Sequence, residues 1–227
     1  MNLKKTFTSL SLGLMLASSV AIASAQDAAE ATPGVLGDAT TTECVTDLGT
    51  AEVPDGATGY VVNADESNVG FTIDESLNTG DTTAVASTTA IAGTILIDGD
   101  GTALACSRID VDLRTLQSNE ARRDDNMLNA LDINNYPVAT FIITEVQGDA
   151  LVEGQETELV LIGNLSIHGV EKQVSFEATV TLQDGTVTGT ATTQITFDDF
   201  DVEKPTMGPV ISIADEINLT IDIVAAS

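Results

Sequence analysis

Apolar and polar residues alternate with a period of two along most of this chain, and this pattern constrains the fold more than any other feature. In the longest run, Leu159, Leu161, Gly163, Leu165 and Ile167 all fall on one face. Successive side chains of a β-strand point to opposite sides, so such a run predicts a strand with one buried and one solvated face. About eight runs of this kind follow one another from position 58 onward, which predicts an all-β fold.

The spacing of these runs indicates how the strands are arranged. Short turns separate them, and Asp184-Gly185 is a typical hairpin turn. A closed antiparallel barrel of about eight strands explains the pattern best, because closure leaves no exposed sheet edge. A two-sheet sandwich is the alternative. The other runs lie at 69–73, 91–97, 109–113, 141–143, 174–180, 187–197 and 217–223.

One interval breaks the strand pattern. Residues 117–131 show no alternation and predict one short helix inserted between two strands. Ala121, Asp125 and Leu128 fall on one face of that helix, which predicts the side that packs against the barrel. The polar pair Ser118-Asn119 can cap its first turn.

The N-terminus resembles an export signal. Lys4-Lys5 is followed by an apolar run at 10–22 and by the small residues Ala23-Ser24-Ala25. This order predicts a signal peptide at 1–25, cleaved after Ala25, and a periplasmic or secreted protein. The apolar run is shorter than the ~20 residues that a spanning helix needs, and no later stretch is longer, so no integral membrane segment is predicted.

The segment that follows the signal differs in composition from the rest. Residues 26–57 are rich in Ala, Thr, Asp and Gly, which predicts a flexible acidic extension ahead of a domain at 58–227. The whole chain carries a formal charge of -27. Such a field repels phosphate backbones and argues against nucleic-acid binding. The sequence leaves open whether the protein is a monomer or a homodimer.

Two cysteines, Cys44 and Cys106, are present. In an oxidising compartment such a pair predicts one disulfide, which would tie the extension to the barrel; two separate buried thiols are the alternative. The chain has a single histidine, His168. Two cysteines and one histidine do not make a zinc set, so neither a metal nor a cofactor is predicted.

Two motifs in the chain resemble those of a known family. The first consists of Ser118, the pair Arg123-Asp124, Leu131 and the run YPVATF at 136–141. The second is GNLSIHGV at 163–170. Together they resemble the signatures of the YceI family of exported lipid-binding proteins, and the resemblance extends over roughly 58–225.

The resemblance implies an eight-stranded, lipocalin-like antiparallel barrel with one short inserted helix. It also implies a long apolar ligand, such as a polyisoprenoid or a fatty amide, in an elongated interior, without catalytic residues. The residues themselves permit either a ligand cavity or a packed core, because barrels of about this size occur with both. Small residues on the inward faces favour a cavity, and burial of each methylene contributes ~0.8 kcal/mol to binding.

We therefore expect a carrier of a polyisoprenoid, an isoprenoid quinone or a fatty-acid-like amphiphile. A secreted structural or adhesive β-domain without a cavity is the alternative. The inward faces of the runs and of the helix supply the candidate cavity-lining residues. These are Phe71, Ile73, Ile95, Val111, Leu113, Leu128, Leu131, Phe141, Ile143, Leu165, Phe176, Ile195, Phe197 and Leu219.

Candidate polar groups are few. A Ser-His-Asp triad would need His168 as its base, but this residue falls at a predicted hairpin turn, so we expect no enzyme activity. Arg122 and Arg123 stand out on the predicted helix of an acidic chain. Either they offset nearby acidic charge through i,i+3 pairs, or one of them contacts the polar head of a lipid at the mouth of the barrel.

Overall fold

The computed structural model describes residues 33–205 and 210–227. The predicted signal peptide at 1–25 and the start of the extension lie outside the described residues. The strands are β1 (Gly34–Asp38), β2 (Thr46–Asp47), β3 (Thr50–Ala51), β4 (Ala57–Val62), β5 (Asn68–Leu77), β6 (Gly80–Thr88), β7 (Ile91–Asp98), β8 (Arg108–Asp112), β9 (Gln117–Ser118), β10 (Val138–Gly148), β11 (Glu156–Ile167), β12 (Val170–Gln183), β13 (Thr186–Thr196), β14 (Val210–Ile213) and β15 (Glu216–Ala226). The helix α1 spans Ala121–Ala130, and 3-10 turns lie at Ala64–Glu66, Leu113–Thr115 and Asp198–Phe200.

Eight of these strands form a closed antiparallel barrel, as the alternation predicts. Each strand pairs with the next in the order β4, β7, β8, β10, β11, β12, β13 and β15, and β15 pairs with β4 to close the ring. The apolar faces of the runs point inward and form one buried cluster. Among the described residues, no helix is long and apolar enough to cross a bilayer.

Three neighbouring strands are interrupted at one level of the barrel. The turn Ala64–Glu66 separates β4 from β5, Thr89-Ala90 separates β6 from β7, and Leu113–Thr115 lies between β8 and β9. The breaks lie side by side: the Oγ1 atoms of Thr88 and Thr115 are 2.6 Å apart at two of them, and Val69, just after the third, pairs with Thr88. Beyond the breaks, β5 and β6 form a hairpin. On its outer sides, β5 pairs with β15 and β14, β6 pairs with β9, and α1 contacts β9.

The N-terminal extension differs from the expected flexible leader over the residues that the structure describes. The strand β1 pairs with β12 over Gly34–Asp38, at the part of β12 where the pairing between β12 and β13 has ended. It also contacts β13. The ammonium of Lys172 lies 2.8 Å from the carboxylate of Asp38 and lowers the pKa of that carboxyl by hydrogen bonding and charge. Asn164 donates to the carbonyl of Thr40 at 2.6 Å. The residues of the extension from Gly34 to Thr40 are therefore attached to the barrel wall.

The second part of the extension covers the outer face of β7 and β8. Cys44 and Cys106 form a disulfide with Cα atoms 5.2 Å apart. The buried carboxylate of Asp110 accepts hydrogen bonds from the Gly49 amide at 2.5 Å and from the Arg108 guanidinium at 2.7 and 2.9 Å. Composition alone missed these links, because they are long-range pairings that a polar, Gly-rich stretch does not reveal.

The helix α1 has a different cap and a different buried face from those predicted. Its N-cap is Glu120, whose carboxylate accepts from the amides of Arg122 at 3.3 Å and Arg123 at 2.8 Å. The predicted cap Ser118 instead donates to the carboxylate of Asp124 at 2.6 Å. This bond, and a second from the Ser118 amide at 2.8 Å, hold the helix against β9.

The buried face of α1 carries Arg123, Met127 and Ala130, at the i, i+4 and i+7 spacing of one helical face. Ala121 and Asp125 are exposed, so the predicted face was wrong: the buried positions lie two residues further along the chain, a rotation of about 200° around the helix. Each of the two faces carries one charged residue, Asp125 on the predicted face and Arg123 on the buried one, so the spacing of apolar residues alone does not distinguish them.

Candidate functional site

The interior of the barrel contains a large chamber at the end that carries α1. The centre of a water-sized sphere can occupy a volume of about 160 Å³ inside it. One buried water needs only ~10–15 Å³ by this measure, so the chamber is far larger than a packing defect. Its apolar lining consists of Val69, Phe71, Ile73, Ala84, Ile109, Val111, Leu113, Leu116, Met127, Ala130, Leu131, Ala139, Phe141, Leu165, Ile167, Phe176, Ile195, Phe197, Phe200, Val202, Pro205, Ile213, Ile217, Leu219 and Ile221.

A smaller chamber occupies the opposite end of the barrel. It measures about 70 Å³ in the same way, and its lining includes Ile95, Ile143 and Leu159. Ala178, Gly189 and Ala191 also line it, so these small inward residues do leave space.

Four residues border both chambers and form what we call the partition: Ile109, Phe141, Phe176 and Ile221. The two phenylalanine rings pack with centroids 4.8 Å apart and planes inclined by 52°. Both side chains are almost fully buried. The interior is therefore divided into two spaces by an aromatic pair and two isoleucines.

Glu75 and Arg123 are the charged residues of the larger chamber, as far as the described residues show. Their side chains form an ion pair of 3.2 Å between Nη2 and Oε2, and their exposed fractions are 17% for Arg123 and 4% for Glu75. Arg123 also donates from Nη1 to Asn119 Oδ1 at 2.9 Å. Glu75 faces inward because it continues the alternation of Val69, Phe71 and Ile73 along β5. The chamber is thus an apolar space with one charged pair in its wall.

A family model of the YceI-like domain matches residues 60–225. The chain belongs to the YceI-like family. The match covers the barrel except for the first three residues of β4 and the last residue of β15, and it leaves β1, β2 and β3 outside. The eight-stranded, lipocalin-like architecture that the two motifs imply is confirmed.

Curated relatives of this YceI-like chain include UPF0312 proteins of Pseudomonas putida strains W619 and GB-1. Each is 38% identical over 109 residues, which are 44% of this chain and 54% of the relative. A UPF0312 protein of Enterobacter sp. strain 638 is 36% identical over 78 residues, 33% of this chain and 38% of the relative. The aligned region thus spans about half the length of the first relatives.

Solved structures share the YceI-like fold at low identity. BcnA of Burkholderia cenocepacia superposes with a TM-score of 0.56 at 19% identity, covering 73% of this chain and 99% of that one. A polyisoprenoid binding domain from Saccharophagus degradans superposes with a TM-score of 0.55 at 14% identity, covering 74% and 98%. At these identities the likeness shows the fold alone.

The second YceI motif forms a tight hairpin packed against the first. His168 and Gly169 both have positive φ, at 55° and 77°. The ring of Tyr136 lies over Gly169, where a Cβ atom would be 2.5 Å from Tyr136 Cε1. His168 packs edge-on to the same ring at 5.4 Å, and its Nδ1 lies 3.2 Å from the carbonyl oxygen of Phe200. These motif residues thus hold the turn next to the larger chamber.

Most of the candidate lining residues border one of the two chambers. Leu128 is the exception: it borders neither chamber and packs beside Met127 and Leu116. Ile95 and Ile143 line the smaller chamber. The remaining candidates line the larger chamber: Phe71, Ile73, Val111, Leu113, Leu131, Phe141, Leu165, Phe176, Ile195, Phe197 and Leu219. Whether any of these side chains contacts a ligand stays a prediction.

The two candidate arginines have different positions. Arg122 is exposed on α1 and does not line the chamber, whereas Arg123 does. Glu120 is the acidic residue at the i,i+3 spacing from Arg123, but its carboxylate caps the helix, and Arg123 pairs instead with Glu75 on β5. Within 33–205 and 210–227, no group of three or more His, Cys, Asp and Glu side chains is placed to hold a metal ion.

Sequence reasoning missed several lining residues. Leu116 and Phe200 lie beside 3-10 turns, where a period of two does not apply, and Met127 lies on the face of α1 that was not chosen. Glu75 could have been found, because it continues an inward run by one more step of two. A charged residue was assumed to lie outside.

Proposed function

We propose that this protein binds a long apolar ligand in the larger chamber and acts as a carrier rather than an enzyme. The ligand of this proposal is a polyisoprenoid, an isoprenoid quinone or a fatty-acid-like amphiphile. The observation that carries the proposal is the chamber itself, which is large and lined almost entirely by apolar side chains. Membership of the YceI-like family and the fold shared with a polyisoprenoid binding domain support it.

The energetics of such binding need no specific polar contact. Each buried methylene contributes ~0.8 kcal/mol, so about ten of them contribute ~8 kcal/mol before the cost of immobilising the chain. A dissociation constant of about 1 μM corresponds to ~8 kcal/mol net, so with an immobilisation cost of at least ~4 kcal/mol a chain of about fifteen or more methylenes reaches this affinity.

Extraction and titration together test the proposal. Freshly purified protein is denatured in organic solvent and the extract is analysed by mass spectrometry, and the protein is then titrated with a fluorescent prenyl alcohol. We expect a co-purifying amphiphile or saturable binding of the probe. If neither is found, the carrier function is wrong, and a structural or adhesive β-domain becomes the better interpretation.

A matched pair of variants assigns the binding to the chamber. Ala84 is buried and lines the larger chamber, whereas its neighbour Val85 is 55% exposed on the outside of the same strand. Ala84→Leu fills part of the chamber and is expected to weaken probe binding at least tenfold. Val85→Leu should bind as the parent does. If both variants bind the probe equally well, the probe does not occupy the larger chamber.

We further propose that residues 1–25 are a signal peptide removed after Ala25 and that the mature protein is periplasmic or secreted. The disulfide between Cys44 and Cys106 supports export, because such bonds persist mainly in oxidising compartments. The test is the intact mass of the protein recovered from outside the cytoplasm. A mass equal to that of residues 26–227, with both cysteines oxidised, is the expected result.

A further inference from the structure

The charged pair in the larger chamber is the feature that the apolar carrier function leaves unexplained. Apart from Thr140 and Thr196, the other described lining residues are apolar or glycine. A chamber meant only for a hydrocarbon chain is better served by apolar side chains, because buried charges are costly to remove from water. The pair Glu75 and Arg123 is therefore a candidate for contact with a polar part of the ligand.

The hydrogen bonding of the pair is incomplete. Arg123 donates from Nη2 to Glu75 and from Nη1 to Asn119, but its buried Nε–H has no acceptor among the described residues. Glu75 accepts this one bond through Oε2, and no described residue donates to its Oε1. Buried donors in native proteins are normally satisfied, so the unused Nε–H of Arg123, whose side chain lines the chamber, points to a ligand group that completes it.

The charge of the pair selects the chemical class of that group. An anionic phosphate or carboxylate that approached Arg123 would also approach Glu75, which lies 3.2 Å away and is negative. A neutral group meets no such repulsion. The most complementary head is one that accepts a hydrogen bond from Arg123 and donates one to Glu75, as a hydroxyl does.

We propose that Glu75 and Arg123 form a head-group site that selects a neutral hydroxyl-bearing head over an anionic one, so that the ligand is a long-chain alcohol. This inference rests on the proposed carrier function. The alcohol oxygen accepts from the Arg123 guanidinium, its hydrogen points to Glu75 Oε1, and the chain extends along the apolar wall.

Three ligands that share the same prenyl chain and differ only in the head group test the site in the unmodified protein. A prenyl alcohol, its methyl ether and its monophosphate are compared in competition with a fluorescent prenyl probe. We expect the alcohol to bind about tenfold more tightly than the ether, which lacks the donor, and at least tenfold more tightly than the phosphate. Equal affinities for all three would overturn the head-group site but leave the carrier function intact. Failure of all three to bind would instead reject the carrier function.

A charge-removing variant separates selection from a merely structural role. Glu75→Gln keeps the shape of the side chain and leaves Arg123 unneutralised, so phosphate binding should rise at least tenfold while the preference for the alcohol falls. Asp112→Asn is the matched control, because Asp112 pairs with Arg114 on the outside of the barrel. It should leave all three affinities unchanged. If Glu75→Gln alters the three affinities by one common factor, the pair is structural; the series on the unmodified protein remains decisive if this variant does not fold.

Discussion

Gly163 is the residue that allows the partition to fit against the wall. It lies on β11 opposite Ile143, and a Cβ atom there would lie 2.7 Å from Cε2 of Phe141. The ring of Phe141 occupies the space that a side chain would take. A glycine on an inward face thus provides room for another residue of the protein here, rather than for a ligand as its small size suggests.

We expect Gly163→Ala to destabilise the protein by about 1–3 kcal/mol, because the methyl group must displace Phe141 or the neighbouring backbone. The measurement is the free energy of unfolding in denaturant. Gly99→Ala is the control, since a Cβ atom at Gly99 has only the Gly56 carbonyl at 3.6 Å nearby. Similar losses for the two variants would show that close packing at Gly163 is not the cause.

Two carboxylates on β8 provide a comparison between a buried and an exposed ion pair. Asp110 is 3% exposed and pairs with Arg108, whereas Asp112 is 28% exposed and pairs with Arg114. Asp110→Ala leaves Arg108 and the Gly49 amide without their acceptor, so we expect a loss of about 3–5 kcal/mol. Asp112→Ala should cost about 1 kcal/mol or less. Equilibrium unfolding of both variants checks the difference, and equal losses would contradict it.

At the scale of elements, the described part of the extension is held to the barrel at two places. Its strand β1 pairs with β12, and the disulfide Cys44–Cys106 ties it to the segment between β7 and β8. After the disulfide, β3 lies on the outside of the barrel next to β7 and β8. The extension therefore behaves as part of the domain and extends it beyond the region that the family model matches.

Removal of the disulfide should lower stability substantially. The bond joins positions 62 residues apart, and for a loop of that length the loss of unfolded-state entropy is worth about 4 kcal/mol. We expect the double variant Cys44→Ser/Cys106→Ser to lose an amount of this order in denaturant unfolding. Hydrogen exchange should show faster exchange at β2 and β3, while β1 stays protected by its pairing with β12. Unchanged stability would mean that the noncovalent contacts suffice.

The barrel strands could be predicted because each one has a solvent-exposed face and a buried face over many residues. Runs such as Leu159 to Ile167 reveal both the strand and its inward side. The breaks at Ala64–Glu66 and Leu113–Thr115 could not be predicted in this way, because they depend on how neighbouring strands are aligned. The same limit applies to β1, whose pairing partner lies more than a hundred residues away in the chain.

The candidate site was predictable only in its apolar part. Inward residues such as Phe71 and Leu219 follow from the alternation, and they do line the larger chamber. The pair of Glu75 and Arg123 does not follow, since it joins two elements and places charges where the pattern expects apolar groups. Long-range polar pairs of this kind become visible only when the elements are placed together.

At the scale of the whole molecule, the partition divides the interior and should limit the length of the ligand. We expect Phe176→Ala to join the two chambers, so that the longest prenyl alcohol bound at full affinity gains at least one isoprene unit. The measurement is the affinity across a series of prenyl alcohols of increasing length. The variant should also lose about 3–5 kcal/mol of stability, so its folding is checked first.

Phe197→Ala is the control for the chain-length experiment. Phe197 lines the larger chamber but not the smaller one, so its truncation enlarges one space without joining the two. The longest prenyl alcohol that this variant binds at full affinity should be the same as for the parent protein. A shift of equal size in both variants would show that total volume, and not the partition, determines which chains are bound.

The aligned breaks in three neighbouring strands divide that side of the barrel wall into two levels. Glu75 and Arg123 lie beyond the breaks, on the hairpin and the helix, while Phe141 and Phe176 lie on strands without breaks. The strand β15 joins the two levels, because it pairs with β4 before the break and with β5 after it. The charged pair and the partition therefore belong to different parts of the wall, connected through β15.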